Sequence, residues 1–236
     1  MTFLSCGLDT FYIIPSPSEI NLLTISNDDP GNNKVSFRTN ETGIASDFSF
    51  DGTYIYYRIF ATKEACESSY TAIDAVNNDS NYETASNRII SSYKIIKFID
   101  SGNNVDDYLI GYAGLNRNIE IRLTNYFLPD SPMAEYMSFI KIDGLSNYKP
   151  VRSESTSSNP KYFDFGWRSF SGYNDTCALP DKDSEDFDKG TSSDGYYYID
   201  LYAIAIGHDT TIKTYRSRPL HLGVIKVNSK ASNNWF

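Results

Sequence analysis

Apolar and polar positions alternate along this chain in short runs. The cleanest sets Ile119, Ile121 and Leu123 against Glu120, Arg122 and Thr124, the period of two that places one strand face on a core and the other in water. Further β-like segments run at Leu22 to Ile25, Val35 to Arg38, Tyr54 to Phe60, Tyr93 to Ile99, Tyr108 to Tyr112, Met137 to Ile142, Tyr162 to Trp167, Tyr196 to Ile206, Thr211 to Tyr215 and Leu220 to Val227. Clusters of Asn, Asp, Ser, Gly and Pro separate them, as turns require. Within Tyr196 to Ile206 the odd positions Tyr197, Ile199, Leu201, Ala203 and Ala205 make a continuous apolar face. The even positions mix Tyr198, Asp200 and Tyr202 with Ile204 and Ile206, so that second face is expected to be partly covered or partly wet.

One stretch changes period. From Thr62 to Asn77, Cys66, Tyr70, Ile73 and Val76 fall at helical spacing. Ser80 and Glu83 then have the spacing of a capping box opening a second short helix through Tyr82, Ala85 and Ile89. The apolar stripe is narrow, which predicts a helical insertion near residues 62–91 lying on a β body rather than forming its own domain. Pro15 and Pro17, among Ser16 and Ser18, mark residues 1–18 as a tether, because each proline disfavours helix for itself and its predecessor. Residues 19–236 then form one elaborated all-β domain. Residues 153–160 and 171–195 lack periodicity and read as long loops.

Composition supports the strand reading. Of 236 residues 15% are aromatic, with 19 Tyr, which suits pleated, half-buried surfaces. The net charge of −9, with no concentrated basic patch, argues against nucleic acid as a partner. No run of apolar residues is long enough to span a bilayer as a helix. Membrane contact then requires an anchor, and the stretch expressed alone is expected to stay in solution.

Ser5-Cys6-Gly7, behind Phe3-Leu4, resembles the processing site of a bacterial lipoprotein. The resemblance implies lipid attachment at Cys6, a membrane as partner, and a place in the bacterial cell envelope, periplasmic or surface-exposed. Thr2-Phe3-Leu4 is far short of a signal-peptide apolar region, so codons ahead of Met1 are expected to supply the remainder. With Cys6 lipidated, Cys66 and Cys177 remain as an even pair that an oxidising compartment would allow to bridge. Two unrelated buried thiols are the alternative, and their wide sequence separation favours it.

Two longer segments look familiar together. Phe50-Asp51-Gly52-Thr53-Tyr54-Ile55-Tyr56-Tyr57-Arg58-Ile59-Phe60 resembles the third strand of fibronectin type III and immunoglobulin-like sandwiches. Gly195 to His208, followed by Tyr215-Arg216-Ser217-Arg218-Pro219-Leu220-His221-Leu222-Gly223, resembles their last two strands. With the Cys6 site and the helical insertion, the layout from Ile20 to Val227 resembles the uncharacterised lipoproteins of spirochaetes, especially treponemes. The resemblance implies an antiparallel β-sandwich and an envelope location, and no established chemistry. Extra strands between Tyr108 and Trp167 depart from a plain seven-strand module.

Candidate chemistry is sparse. The only histidines are His208 and His221, near the ends of the last strands, and no nucleophile elbow, zinc-binding His motif or phosphate-cradling glycine loop is present. An enzyme is not expected, nor is a cofactor. Asp181, Asp183, Glu185, Asp186 and Asp188 crowd one loop, but the glycine and terminal glutamate of a calcium loop are missing, which favours a solvated acidic loop over a metal site. Tyr54, Tyr56 and Arg58 share a strand face, as do Tyr198, Asp200 and Tyr202. If those strands pair as in the resembling sandwiches, Arg58 falls opposite or diagonal to Asp200 and a Tyr-rich strip results. Such a strip is either a recognition surface or a face covered by the helical insertion, and coverage is favoured because contiguous exposed apolar patches are uncommon. The function expected is binding or structural, toward an unknown protein or glycan. A carbohydrate-binding or adhesin module, with Trp167 stacking on a sugar, is the alternative.

Overall fold

The computed structural model describes residues 13–21, 23–25, 34–41, 48–99, 102, 104–107, 110–111, 116–127, 134–145, 147–163 and 183–228. The expectations for Cys6, Trp167, Cys177 and Asp181 lie outside these residues. Two long strands form the centre, β4 (Phe48–Phe60) and β14 (Tyr196–Asp209), paired antiparallel over almost their whole length. On the far side of β14 lies β16 (Leu220–Asn228), then β2 (Leu23–Ile25), which runs parallel to it. Beyond β4 lies β5 (Lys94–Ile95), while β8 (Ile110–Gly111) also pairs with β4 and β15 (Thr214–Arg216) with β14. This seven-stranded sheet has the order β2-β16-β14-β4-β5 along its main path.

Among the described residues three smaller antiparallel sheets accompany it. The first is four-stranded, β1 (Ser18–Asn21), β3 (Val35–Arg38), β9 (Asn118–Arg122) and β12 (Phe139–Ile142) in that spatial order. The second has β6 (Lys97–Ile99) between β13 (Lys149–Val151) and β7 (Val105–Asp107), and the third pairs β10 (Tyr126–Phe127) with β11 (Ala134–Tyr136). The chain is thus mainly β and its sheets are antiparallel apart from the β2–β16 contact.

The odd face of β14 and its partners on β4 build the main core: Ile199, Leu201, Ala203, Ile55, Tyr57 and Ile59 pack with Val35 and Phe37 of β3, Ile119 and Ile121 of β9, and Ile140 and Ile142 of β12. On β9 the apolar members Ile119 and Ile121 are buried as the period requires, but the second face is not in water: Glu120 is half-buried beside Lys34, and Arg122 and the following Thr124 are buried outright. The opposite face of the large sheet is covered by two helices, α1 (Lys63–Asp74) and α2 (Tyr82–Ser92). Thr62 caps α1 by accepting a hydrogen bond from the Ala65 amide. The expected capping box at Ser80 is not formed: Asn81 takes the N-cap position, without a side-chain cap hydrogen bond. The chain turns into α2 one residue later than the Ser80–Glu83 spacing implies.

The crowded acidic loop resolves into separate partners. Asp186 is fully buried in a bidentate pair with Arg152, at 2.6 and 2.9 Å, and accepts the Tyr57 hydroxyl at 2.5 Å and that of Ser184. Burial pushes the Asp186 carboxyl up, but the Arg152 guanidinium with the two hydroxyls outweighs it and holds the group below the usual carboxylate range. Asp188 instead accepts the amides of Ala61 and Gly190, and Glu185 pairs with Lys94. These carboxylates diverge, and no cluster of three or more metal-ligating side chains occurs among the described residues. The segment also aligns with the end of β4, where the Asp186 carbonyl accepts the Ile59 amide and the Ile59 carbonyl accepts that of Asp188.

Breaking this pair strands a buried charge. Arg152→Ala is expected to destabilise the fold by about 3–5 kcal/mol, whereas Arg152→Met combined with Asp186→Leu recovers most of the loss. Urea unfolding of the three proteins checks both outcomes.

Candidate functional site

The strand register places the sequence-predicted residues together. Arg58 and Asp200 are direct cross-strand partners, and Tyr56 stands opposite Tyr202. The face they share is the one under the helices, where Tyr56, Tyr198 and Tyr202 are all buried and only Tyr54 and Arg58 keep partial exposure. The Tyr strip is therefore a helix-docking surface. Cys66 and Ile73 of α1, and Ala85 and Ile89 of α2, fill it, with Tyr93 following directly after α2.

Arg58 and Asp200 share a face but spend their bonds elsewhere. Asp200 has no solvent exposure, and its two oxygens accept the Tyr93 hydroxyl at 2.7 Å and face His221 Nε2 at 2.7 Å. Arg58 donates to the Ser92 carbonyl at the end of α2 and lies over the Phe60 ring. Tyr93 brings a further hydroxyl into the chain of contacts, that of Ser69 at 3.0 Å. His221, on β16, lies between Tyr70 of α1 and Tyr202, with ring centroids 4.6 and 4.8 Å away. One buried carboxylate thus ties together α1, the end of α2, β14 and β16.

The electrostatics follow from that burial. Burial, and secondly the Asp200 charge, push the hydroxyls of Tyr93 and Tyr202 far up and raise the Cys66 thiol well above its ordinary value. Cys66 is free and buried, so it is an inert thiol rather than a nucleophile. Among the described residues neither the Tyr202 hydroxyl nor Arg58 Nε finds a hydrogen-bond partner. The hydrogen-bond partner of each histidine is a carboxylate, Asp51 for His208 and Asp200 for His221. No serine or cysteine among the described residues hydrogen-bonds to either ring.

Sequence reasoning brought Asp200, Tyr198, Tyr202, Tyr56 and Arg58 to one face and missed Tyr93, Ser69 and His221. Two signals pointed to them: His221 stood among apolar residues at the start of the last strand, and Tyr93 followed directly after the second helix. Neither reveals its partner, since Tyr93 reaches Asp200 across 107 positions and His221 reaches it from the neighbouring strand. Comparison with protein families, curated proteins and solved structures finds no match to this chain.

The cluster makes the fold sensitive to alkali. Cys66, Tyr93 and Tyr202 all have folded-state pKa values above their ordinary ones of 9.0 for the thiol and 10.0 for the phenols. In the unfolded chain they ionise first, so the stability they carry is complete below about pH 9 and is lost as pH rises beyond it. The urea midpoint is expected to hold up to about pH 8 and to fall steadily toward pH 11. Cys66→Ala should delay the onset of that fall without abolishing it.

Proposed function

We propose that this chain is the body of a lipid-anchored β protein of a bacterial envelope, with a binding or structural role and no catalytic one. The observation that carries the location is the Ser5-Cys6-Gly7 site behind Phe3-Leu4. It lies seven residues before Ile13 and just ahead of the proline-bearing segment, the arrangement of an anchor followed by a tether.

The order of strands supports the immunoglobulin-like part of the reading. An immunoglobulin variable-type sheet sets strand G beside F, F beside C, and C beside C′. Here β16, β14, β4 and β5 follow one another in that order, and β2 runs parallel to β16 on the outer side. The β1-β3-β9-β12 sheet corresponds in space to strands A, B, E and D. The chain, however, reaches the E-like β9 before the D-like β12, the reverse of the immunoglobulin order. The likeness to spirochaete lipoproteins fits the same picture of a sandwich elaborated by a helical insertion.

A binding role fits the treatment of the two histidines, each held by a carboxylate within the scaffold. Sandwiches of this kind present partners with their loops and ends, and the Tyr strip is already occupied by α1 and α2. The test of the anchor is metabolic labelling with palmitate of the protein expressed from its native gene. Label should enter the wild type and vanish with Cys6→Ser; label that persists unchanged removes the anchor from the proposal.

A further inference from the structure

The two most exposed large apolar side chains among the described residues are Ile212 at 81% and Ile13 at 78%. They adjoin the same end of the large sheet. Ile14, next to Ile13, packs with Phe48 and Ala205, and Tyr215 packs against the same cluster, its ring 5.7 Å from that of Phe48. Ser16 adds a hydrogen bond to the Arg218 carbonyl. Phe48 pairs with Asp209, the residue that opens the hairpin bearing Ile212. Gly207 permits this closeness, since a Cβ there would stand 2.4 Å from the Phe48 ring and 2.5 Å from the Ser49 carbonyl.

Ile212 is also held in a conformation it does not favour. Its φ is +66°, the left-handed region, where a β-branched side chain is an outlier. The hairpin enforces it: one Asp209 oxygen accepts the Thr211 amide, the Thr211 hydroxyl and the Lys213 amide, and the other accepts the Tyr215 hydroxyl. The Ile212 amide donates to the Asp209 carbonyl. These bonds, first that of the Thr211 hydroxyl, hold the Asp209 carboxyl down to about 2, so the clasp is charged and closed at neutral pH. A Gly or Asn at the tip would relieve the backbone, yet the chain presents an isoleucine to solvent. Strain of this kind persists where the surrounding structure over-determines it, and it concentrates at working surfaces.

We propose that the hairpin tip, Ile212 with Lys213, and the neighbouring Ile13 form a membrane-contact edge that inserts into the interface of a bilayer. Three observations select a bilayer as occupant. Two isolated apolar side chains beside a lysine suit the headgroup boundary, where the apolar tips are buried and the ammonium stays among polar groups. The strongest exposed apolar groups gather where the N-terminal segment joins the body. Finally, Cys6 is seven residues from Ile13, a span of at most about 25 Å when extended, so an anchor there keeps this edge near the bilayer at high effective concentration. The inference rests on the Cys6 anchor for its orientation, and its test reads the contact without the anchor.

Cys6→Ser protein, carrying no lipid, is sedimented with vesicles of phosphatidylglycerol and phosphatidylethanolamine in equal parts. It is expected to bind, and Ile212→Asn to weaken binding about tenfold or more while raising the thermal midpoint through relief of the left-handed strain. Ile212→Leu should retain binding, and Lys213→Glu should weaken it at low salt. Binding unchanged by Ile212→Asn overturns the proposal. So does absence of binding by the Cys6→Ser protein, including the case in which Ile212 seats in a protein pocket instead. Failed palmitate labelling would remove the anchor and leave the vesicle result standing, so the two readings fail separately.

Discussion

Everything else in this fold is arranged around the antiparallel ladder between Phe48–Phe60 and Tyr196–Asp209. Both faces of that ladder are apolar over most of its length, so neither can meet water, and a single opposing sheet covers only one of them. The chain meets the constraint on the second face with material inserted directly after β4. It reverses at Ala61 and Thr62, runs α1 and α2 back across the sheet, and returns as β5 on the outer edge of β4. The helices need little intrinsic stability for this, because their narrow apolar stripes are completed by Tyr56, Tyr198 and Tyr202 beneath them.

Asp200 and Asp186 have no solvent exposure at all, and the two have matching roles on the two sides of the ladder. Asp200 secures the helical cover through Tyr93 and His221, while Asp186 secures the loop at the end of β4 through Arg152 and Tyr57. Ion pairs taken out of water contribute little net stability compared with apolar replacements, but leaving one partner alone is costly. The useful effect is therefore discrimination: a slip of the Tyr196–Asp209 strand by one residue would turn Asp200 to the other face, away from both Tyr93 and His221. Apolar side chains could tolerate several packings of α1 and α2 on the sheet. A carboxylate needing Tyr93 and His221 together tolerates far fewer.

The parts legible in the sequence were those set by local period. Alternation at Ile119 to Thr124, the apolar odd face of Tyr196 to Ile206 and the helical spacing after Thr62 each dictate structure over a few neighbouring residues. The opposition of Arg58 and Asp200 was legible too, once the two longest strands were taken as neighbours. The partners of those residues were not, because charge complementarity names a plausible pair without knowing what else arrives. Tyr93 and His221 reach Asp200 from other elements and saturate it, leaving Arg58 to the Ser92 carbonyl. The acidic loop misled in the same way: a run of carboxylates suggested a solvated loop, while backbone direction aims Asp186 inward, where it is fully buried, and only Glu185 outward.

The burial of the Tyr strip also determines where function has to be sought. Aromatic residues that might have recognised a partner are used to hold the helices, so the faces of the large sheet offer little besides packing. What remains are its ends, and there the sequence departs from its own rules. Local consistency favours Gly or Asn at a left-handed hairpin position and a polar side chain at an exposed tip, yet residue 212 satisfies neither preference. The clasp of Asp209, Thr211 and Tyr215 supplies four hydrogen bonds that fix the hairpin regardless of the side chain at its tip. The identity of that side chain is thereby released from folding, and the isoleucine there stands against both propensity and solvation.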